Sequence, residues 1–174
     1  MGEDGEQERT ARAMAAMNPE HASAVIELIN RSPYFELLDV RLVELAEGSC
    51  RAVCDFQRKH MNAFGGAHGG AYASLLDCAA YWALYGSLDE DEGFTTMDLC
   101  ATNLKATGVG RVTATGRVVK RGRTVCLCEA EARDERGALL AHATSKMLVG
   151  AHLQPMSAAV RELGAAELPP KFLA

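Results

Sequence analysis

The chain has 174 residues, is 48% hydrophobic and carries a formal net charge of −5. That is enough apolar material for one compact domain with a full core, and two domains would be cramped. The acidic balance and the modest aromatic content argue against nucleic acid as a main partner, because phosphate binding needs a basic face. No apolar run reaches the ~20 residues of a membrane helix. The acidic start MGEDGEQER also lacks a cationic segment followed by an apolar one, so the expectation is a soluble, cytoplasmic protein with no membrane partner.

Residues 1–20 are charged and alanine-rich with no core-forming pattern, and are expected to be a mobile arm. PEHASAVIELINRSP then places Ala24, Val25, Leu28 and Ile29 on one helical face, with Pro19 near the start and Pro33 after the end. From Tyr34 to Gln57 the pattern turns to period two, predicting two strands around a turn at Glu47-Gly48. Gly65, Gly66, Gly69 and Gly70 cluster next, ahead of an apolar helix over 69–86. After the acidic loop SLDEDEG come four strand-like stretches, FTTMDLCATNLKATG, GRVTATGRVVKRG, RTVCLCEAEARDERG and ALLAHATSKMLVG, separated by Gly-containing turns. Val112, Ala114, Gly116 and Val118 alternate with Thr113, Thr115 and Arg117, as a strand with one solvated face requires. Long consecutive antiparallel strands with one very apolar helix predict an α+β domain over 21–150, a curved sheet wrapped around that helix. The segment 151–174 forms a tail with no clear period.

Asp77 breaks the apolar run between Gly70 and Gly86. A buried carboxylate is costly unless it is paired or hydrogen-bonded, so this acid is either satisfied structurally or used. The six cysteines (Cys50, Cys54, Cys78, Cys100, Cys126, Cys128) sit in apolar or strand-like stretches and read as buried free thiols. Cys54 with His60 or His68 as a nucleophilic pair is the sharper alternative, which the spacing does not favour. No metal site is expected, since His60, His68 and Asp77 lack an evident fourth ligand.

The string HMNAFGGAHGGAYASLLD, followed by TTMDLCATNLKA and VVKRGRTV, resembles the hotdog-fold acyl-CoA thioesterases, in particular the phenylacetate-pathway and aromatic-acyl-CoA branch. The resemblance covers roughly Ile26 to Val149. It implies a hotdog fold and hydrolysis of an acyl-CoA to free CoA and a carboxylic acid, without a cofactor. Within it, Gly69 is the oxyanion N–H donor and Asp77 the nucleophile or general base. Asn62 positions the thioester or the attacking water, His68 supports the carbonyl site, and Thr96, with Thr95 one residue off, assists the water. His60 and Gly70 fall on the substrate side. Lys120, Arg121, Gly122 and Arg123 lie where the nucleotide of CoA is expected, with Arg58 and Lys59 as a second basic cluster.

Physical chemistry supports parts of this reading. The first N–H groups of a helix have no internal acceptor and carry the positive end of the dipole, and glycines there let an acyl group approach the backbone. Asp77 follows Gly69 by eight residues, about 12 Å along a helix at ~1.5 Å per residue, too far for one carbon to touch both. Two such helices lying antiparallel across a dimer axis would bring the acid of one chain to the helix start of the other. A homodimer with shared sites is therefore expected, and pairing of dimers into a homotetramer is compatible with it. The competing readings are a non-catalytic acyl-CoA-binding protein or sensor on the same fold, and a hydroxyacyl-CoA dehydratase, whose histidine motif is missing. Acyl preference would depend on packing among Tyr72, Leu76, Phe64 and Leu99.

Overall fold

The structure is a computed structural model that describes residues 16–90 and 92–173. Most of the expected mobile arm, residues 1–15, lies outside the described residues. Helix α1 (Pro19–Ile29) starts where the side chain of Asn18 accepts a hydrogen bond from the Glu20 N–H at 3.0 Å, with Pro19 in the first turn, where a missing N–H costs nothing. Its buried face is His21, Ala22, Val25, Leu28 and Ile29; Ala24, expected on that face, is half-buried at its edge.

Pro33 does not follow a helix into a strand as the sequence suggested. It opens a second short helix, α2 (Pro33–Leu38), which closes at Asp39 in the left-handed conformation, φ 54°. The period-two pattern therefore begins only at β1 (Val40–Ala46), which turns at Glu47-Gly48 into β2 (Ser49–Phe56). A short 3₁₀ turn (Arg58–His60) leads to the glycine loop and then to α3 (Gly69–Gly86), followed by β3 (Phe94–Asn103), β4 (Gly110–Lys120), β5 (Val125–Asp134), β6 (Leu139–Val149) and α4 (Met156–Glu162).

All six strands pair antiparallel in one sheet of order β1-β2-β4-β5-β6-β3. The central helix α3 packs on this sheet and buries residues around most of its circumference, which is why its sequence reads as apolar on every side. Val112, Ala114 and Gly116 of β4 face inward as the alternation requires. Gly116 is needed for contact: a Cβ there would overlap the Ala79 carbonyl of α3, and one at Gly86 would overlap the Ala46 carbonyl. The sheet and helix backbones meet at these two points.

The tail is part of the body. Met17 bridges to Phe172, the Asn18 N–H donates to the Lys171 carbonyl at 2.8 Å, and the Lys171 side chain is fully buried. Its Nζ donates to the carbonyls of Tyr85 (2.7 Å) and Leu88 (3.0 Å) and lies 3.8 Å from the centre of the Tyr85 ring. His21 completes the clasp: Nδ1 donates to the Pro169 carbonyl and Nε2 accepts from the Tyr85 hydroxyl, both at 2.6 Å. Burial holds this histidine below its ordinary pKa, in keeping with a neutral ring serving both bonds.

Candidate active site

The loop between the 3₁₀ turn and α3 is built by its own side chains. The Asn62 Oδ1 accepts from the N–H groups of Phe64 (2.9 Å) and Gly66 (3.2 Å), and its Nδ2 donates to the Ala67 carbonyl at 3.5 Å. His60 is 3% exposed: Nδ1 accepts from the Gln57 N–H at 2.9 Å, Nε2 donates to the Leu38 carbonyl at 2.8 Å, and the ring stacks on Phe56. Both ring nitrogens are spent inside the fold, so His60, expected on the substrate side, is a loop anchor. Its carbonyl receives the His68 N–H at 2.8 Å, which ties the two histidines of the motif together.

His68 caps α3. Its Nδ1 accepts the Gly70 N–H at 2.8 Å, a bond that puts the ring proton on Nε2. The Gly70 N–H, expected on the substrate side, is thereby occupied. The Gly69 N–H has no acceptor among the described residues, and Gly69 is only half-buried. Of the two glycine donors, the helix start leaves one available.

Two turns further on, Asp77 is half-buried, and its Oδ1 accepts the Thr96 hydroxyl at 3.0 Å. Burial raises the pKa of this carboxyl above its ordinary 3.8, and the Thr96 bond opposes part of that rise. Thr96 sits at an irregularity in the β3–β6 register, between Thr96 and Asp98, the kind of local distortion that re-aims a side chain. The acid opens into a cavity of about 470 Å³ lined by Phe35, Cys78, Tyr81, Trp82 and Leu99, among others. Of the four residues expected to set the acyl pocket, Leu99 lines this cavity, Tyr72 and Leu76 are core, and Phe64 is 97% exposed on the glycine loop.

Sequence reasoning passed over Ser74 and Tyr81, at i−3 and i+4 from Asp77. Helical spacing puts both on the face of the acid, a signal that could have found them. The Ser74 hydroxyl donates to the Gly70 carbonyl at 2.9 Å and meets the Tyr34 hydroxyl at 2.8 Å at the cavity wall.

The basic turn is remote from the glycine loop. The Arg121 guanidinium donates to the carbonyls of Ser87 and Gly122 and pairs with Glu92 at 2.8 Å, which ties it to the C-terminal end of α3. It is committed to the fold, and Gly122 serves the turn, since a Cβ there would overlap the Val125 carbonyl. Lys59 pairs with Asp39. Exposed Arg58, Lys120 and Arg123 form no ion pair among the described residues.

The thiol alternative falls on electrostatics. Cys54 does come within 3.8 Å of the His60 Nε2, but its S–H points to the Leu38 carbonyl and burial pushes its pKa up to about 11. A thiolate is disfavoured there. Five of the six cysteines are buried as expected, while Cys100, on the edge strand β3, is exposed.

Residues 64–141 match the family model of the thioesterase superfamily. The match spans under half of the chain and agrees with the resemblance seen in the sequence. The matched segment holds His68, Gly69, Gly70, Asp77, Thr96 and the basic turn, while His60 and Asn62 precede it. A curated relative from Saccharolobus solfataricus, provisionally named an esterase, is 28% identical over 127 residues, covering 73% of this chain and 84% of that one. A thioesterase structure from Haemophilus influenzae is 21% identical with a TM-score of 0.71, covering 79% of this chain and 95% of its own. The PaaI protein of the phenylacetic acid degradation operon of E. coli is 17% identical with a TM-score of 0.67, over 75% and 95% of the two chains. Both structural likenesses bear on the fold, which is the hotdog arrangement. The superfamily match supports thioester hydrolysis as the chemistry. Among the described residues no helix is long and apolar enough to cross a membrane.

Proposed function

We propose that this chain is an acyl-CoA thioesterase that releases free CoA and a carboxylic acid, and that it works as a homodimer with two shared sites. The observation that carries the reading is Asp77: a half-buried acid in an apolar cavity, held by the Thr96 hydroxyl, on the same helix whose first N–H has no acceptor among the described residues. Gly69 and Asp77 are separated by about 12 Å along α3 at ~1.5 Å per residue. The Gly69 N–H that meets a given thioester oxygen therefore comes from the partner chain.

In this reading Asp77, as general base, takes a proton from water while the water oxygen attacks the thioester carbon. The carbonyl oxygen gathers negative charge against the partner subunit's Gly69, a donor of the kind worth about 3 kcal/mol in acyl transfer. The carbon–sulfur bond then breaks, and the thiolate of CoA takes up a proton. As nucleophile, Asp77 would instead form an anhydride that water hydrolyses. Thr96 keeps one carboxylate oxygen fixed in either route. Asn62 and His68 act by holding the loop and the helix start, and Lys120 and Arg123 are the side chains left to meet phosphates.

Thiol release measured over short, medium, long and aromatic acyl-CoAs tests the activity. Steady turnover lost in Asp77→Ala supports it, and binding without turnover would favour the non-catalytic alternative. Subunit mixing tests the shared site. An Asp77→Ala chain paired with an Asn62→Ala, His68→Ala chain has one intact loop facing one intact acid, so activity should rise toward half of wild type per heterodimer. Activity that stays at the parental average, with exchange shown by mass spectrometry, would overturn the shared site.

A further inference from the structure

A second cavity lies beside the one at Asp77 along α3, with Thr95, Gln154 and Glu162 standing among its apolar walls. Tyr81 lies one turn beyond the acid on the same helical face, and Tyr81 and Trp82 line both that cavity and a second one of about 690 Å³. The far walls of the second cavity come from Ile29 of α1, Phe94 of β3, and Met156, Ala158 and Ala159 of α4. Each cavity alone is within the range of small-molecule sites, roughly 300–1,000 Å³, so the pair offers more room than a short acyl group fills.

The wall formed by α4 is held from its flanks, none of its own residues being fully buried. At its start the Gly150 N–H donates to the Gly93 carbonyl at 3.0 Å, and beyond its end Lys171 and Asn18 clasp the tail to α3 and α1. Met156, Val160 and Leu163 pack against the core, which orients the helix and leaves the two small alanines on the cavity. Opposite them, Tyr81 is immobilised by stacking on Phe94 at 4.0 Å and by its hydroxyl bond to the Phe94 carbonyl at 3.2 Å.

We infer that the second cavity receives the distal part of the acyl chain, so that the preferred substrates are medium to long straight-chain acyl thioesters, and that Ala158 and Ala159 of the C-terminal helix set the chain length accepted. The inference rests on the thioesterase reading for its substrate. An acyl chain bound with its thioester at Asp77 runs along the Tyr81 face, passes Trp82 and ends against α4. The C-terminal segment is then a specificity element.

Trp82 is the sole tryptophan of the chain and lines both cavities, so its emission reports occupancy without any need for turnover. Dodecanoate and hexanoate are titrated against wild type, Ala159→Phe and Ala158→Phe, and kcat/KM is measured in parallel for dodecanoyl-CoA and butanoyl-CoA. Each buried methylene is worth about a fourfold change in affinity. A phenyl ring that excludes two or more of them should therefore weaken dodecanoate by roughly tenfold or more in at least one variant. Hexanoate binding and butanoyl-CoA turnover should stay within about twofold of wild type, which also shows that the variant is folded.

Equal dodecanoate affinity in wild type and both variants, parallel loss of both acids, or no response of Trp82 to either acid in wild type would each overturn the inference. The two readings separate cleanly. Chain-length-dependent binding without hydrolysis of any acyl-CoA leaves the cavity assignment standing and removes the hydrolase. Hydrolysis that neither variant alters at any chain length removes the cavity assignment alone.

Discussion

The two ends of α3 are treated in opposite ways. At the C-terminal end carbonyls are met from several directions: Lys171 donates to those of Tyr85 and Leu88, Arg121 to that of Ser87, and the Ser87 N–H closes on the Leu84 carbonyl. A buried cation at a helix C-terminus is also favourably placed in the dipole. At the N-terminal end His68 takes the Gly70 N–H, while the Gly69 N–H keeps no acceptor among the described residues. One end is sealed by side chains far away in sequence, and the other is shaped by its own loop and left open. A free N–H at a helix start is the kind of donor that a developing negative charge can use, which is the role proposed for Gly69.

Asp77→Asn should sharpen this contrast most. Turnover should fall at least ~100-fold, the scale set by a positioned base or nucleophile, with the fold intact. The pH dependence follows from the raised pKa of the acid. The folded state binds the Asp77 proton more tightly than the unfolded chain, so its contribution to stability is present below the ordinary 3.8 and is lost as pH rises through the raised value. Asp77→Asn should therefore melt above wild type at neutral pH, with the gap closing in acid. Wild-type turnover should in turn decline as pH drops through that same raised value. A variant as active as wild type, or one that melts lower at pH 7, would return the acid to a structural role.

The sealed half should respond in stability instead. Gly116→Ala presses a methyl group into the Ala79 carbonyl and is expected to cost about 1–3 kcal/mol, roughly 2–12 °C in Tm, with kcat retained by the folded fraction. Lys171→Met removes the donor that the Tyr85 and Leu88 carbonyls share and should cost a similar ~1–3 kcal/mol, again without loss of thiol release from short acyl-CoAs. Loss of activity ahead of stability in either variant would break the division between the two ends. The smallest effect is expected at His68. Removing the cap in His68→Ala should cost ~1 kcal/mol, and His68→Asn should restore most of it, because Asn is also a good N-cap.

What was legible in the sequence was whatever rests on neighbours along the chain. An apolar run on all sides marks α3 between Gly69 and Gly86, alternation marks β4, Gly-containing turns bound the strands after α3, and Gly48 marks the β1–β2 turn. Asp77 stood out because it violates its own helix. The helix α2 was missed because a proline after one helix and a proline at the start of the next look alike locally. No local pattern shows that His60 and Arg121 are bonded within the fold, because their partners, Leu38, Ser87 and Glu92, lie 22, 34 and 29 residues away.

By itself, then, the sequence determined the order and type of most elements and singled out the acid and the glycine helix start, since periodicity, turn chemistry and a misplaced charge are local properties. Only the tertiary structure decided which polar groups are already spent, that Thr96 reaches Asp77 across 19 residues, and that a tail without pattern is clasped to α3 through a bond spanning 86 residues. Those contacts are made by burial, which brings together groups that no local pattern relates, and desolvation is also what makes each of them worth keeping.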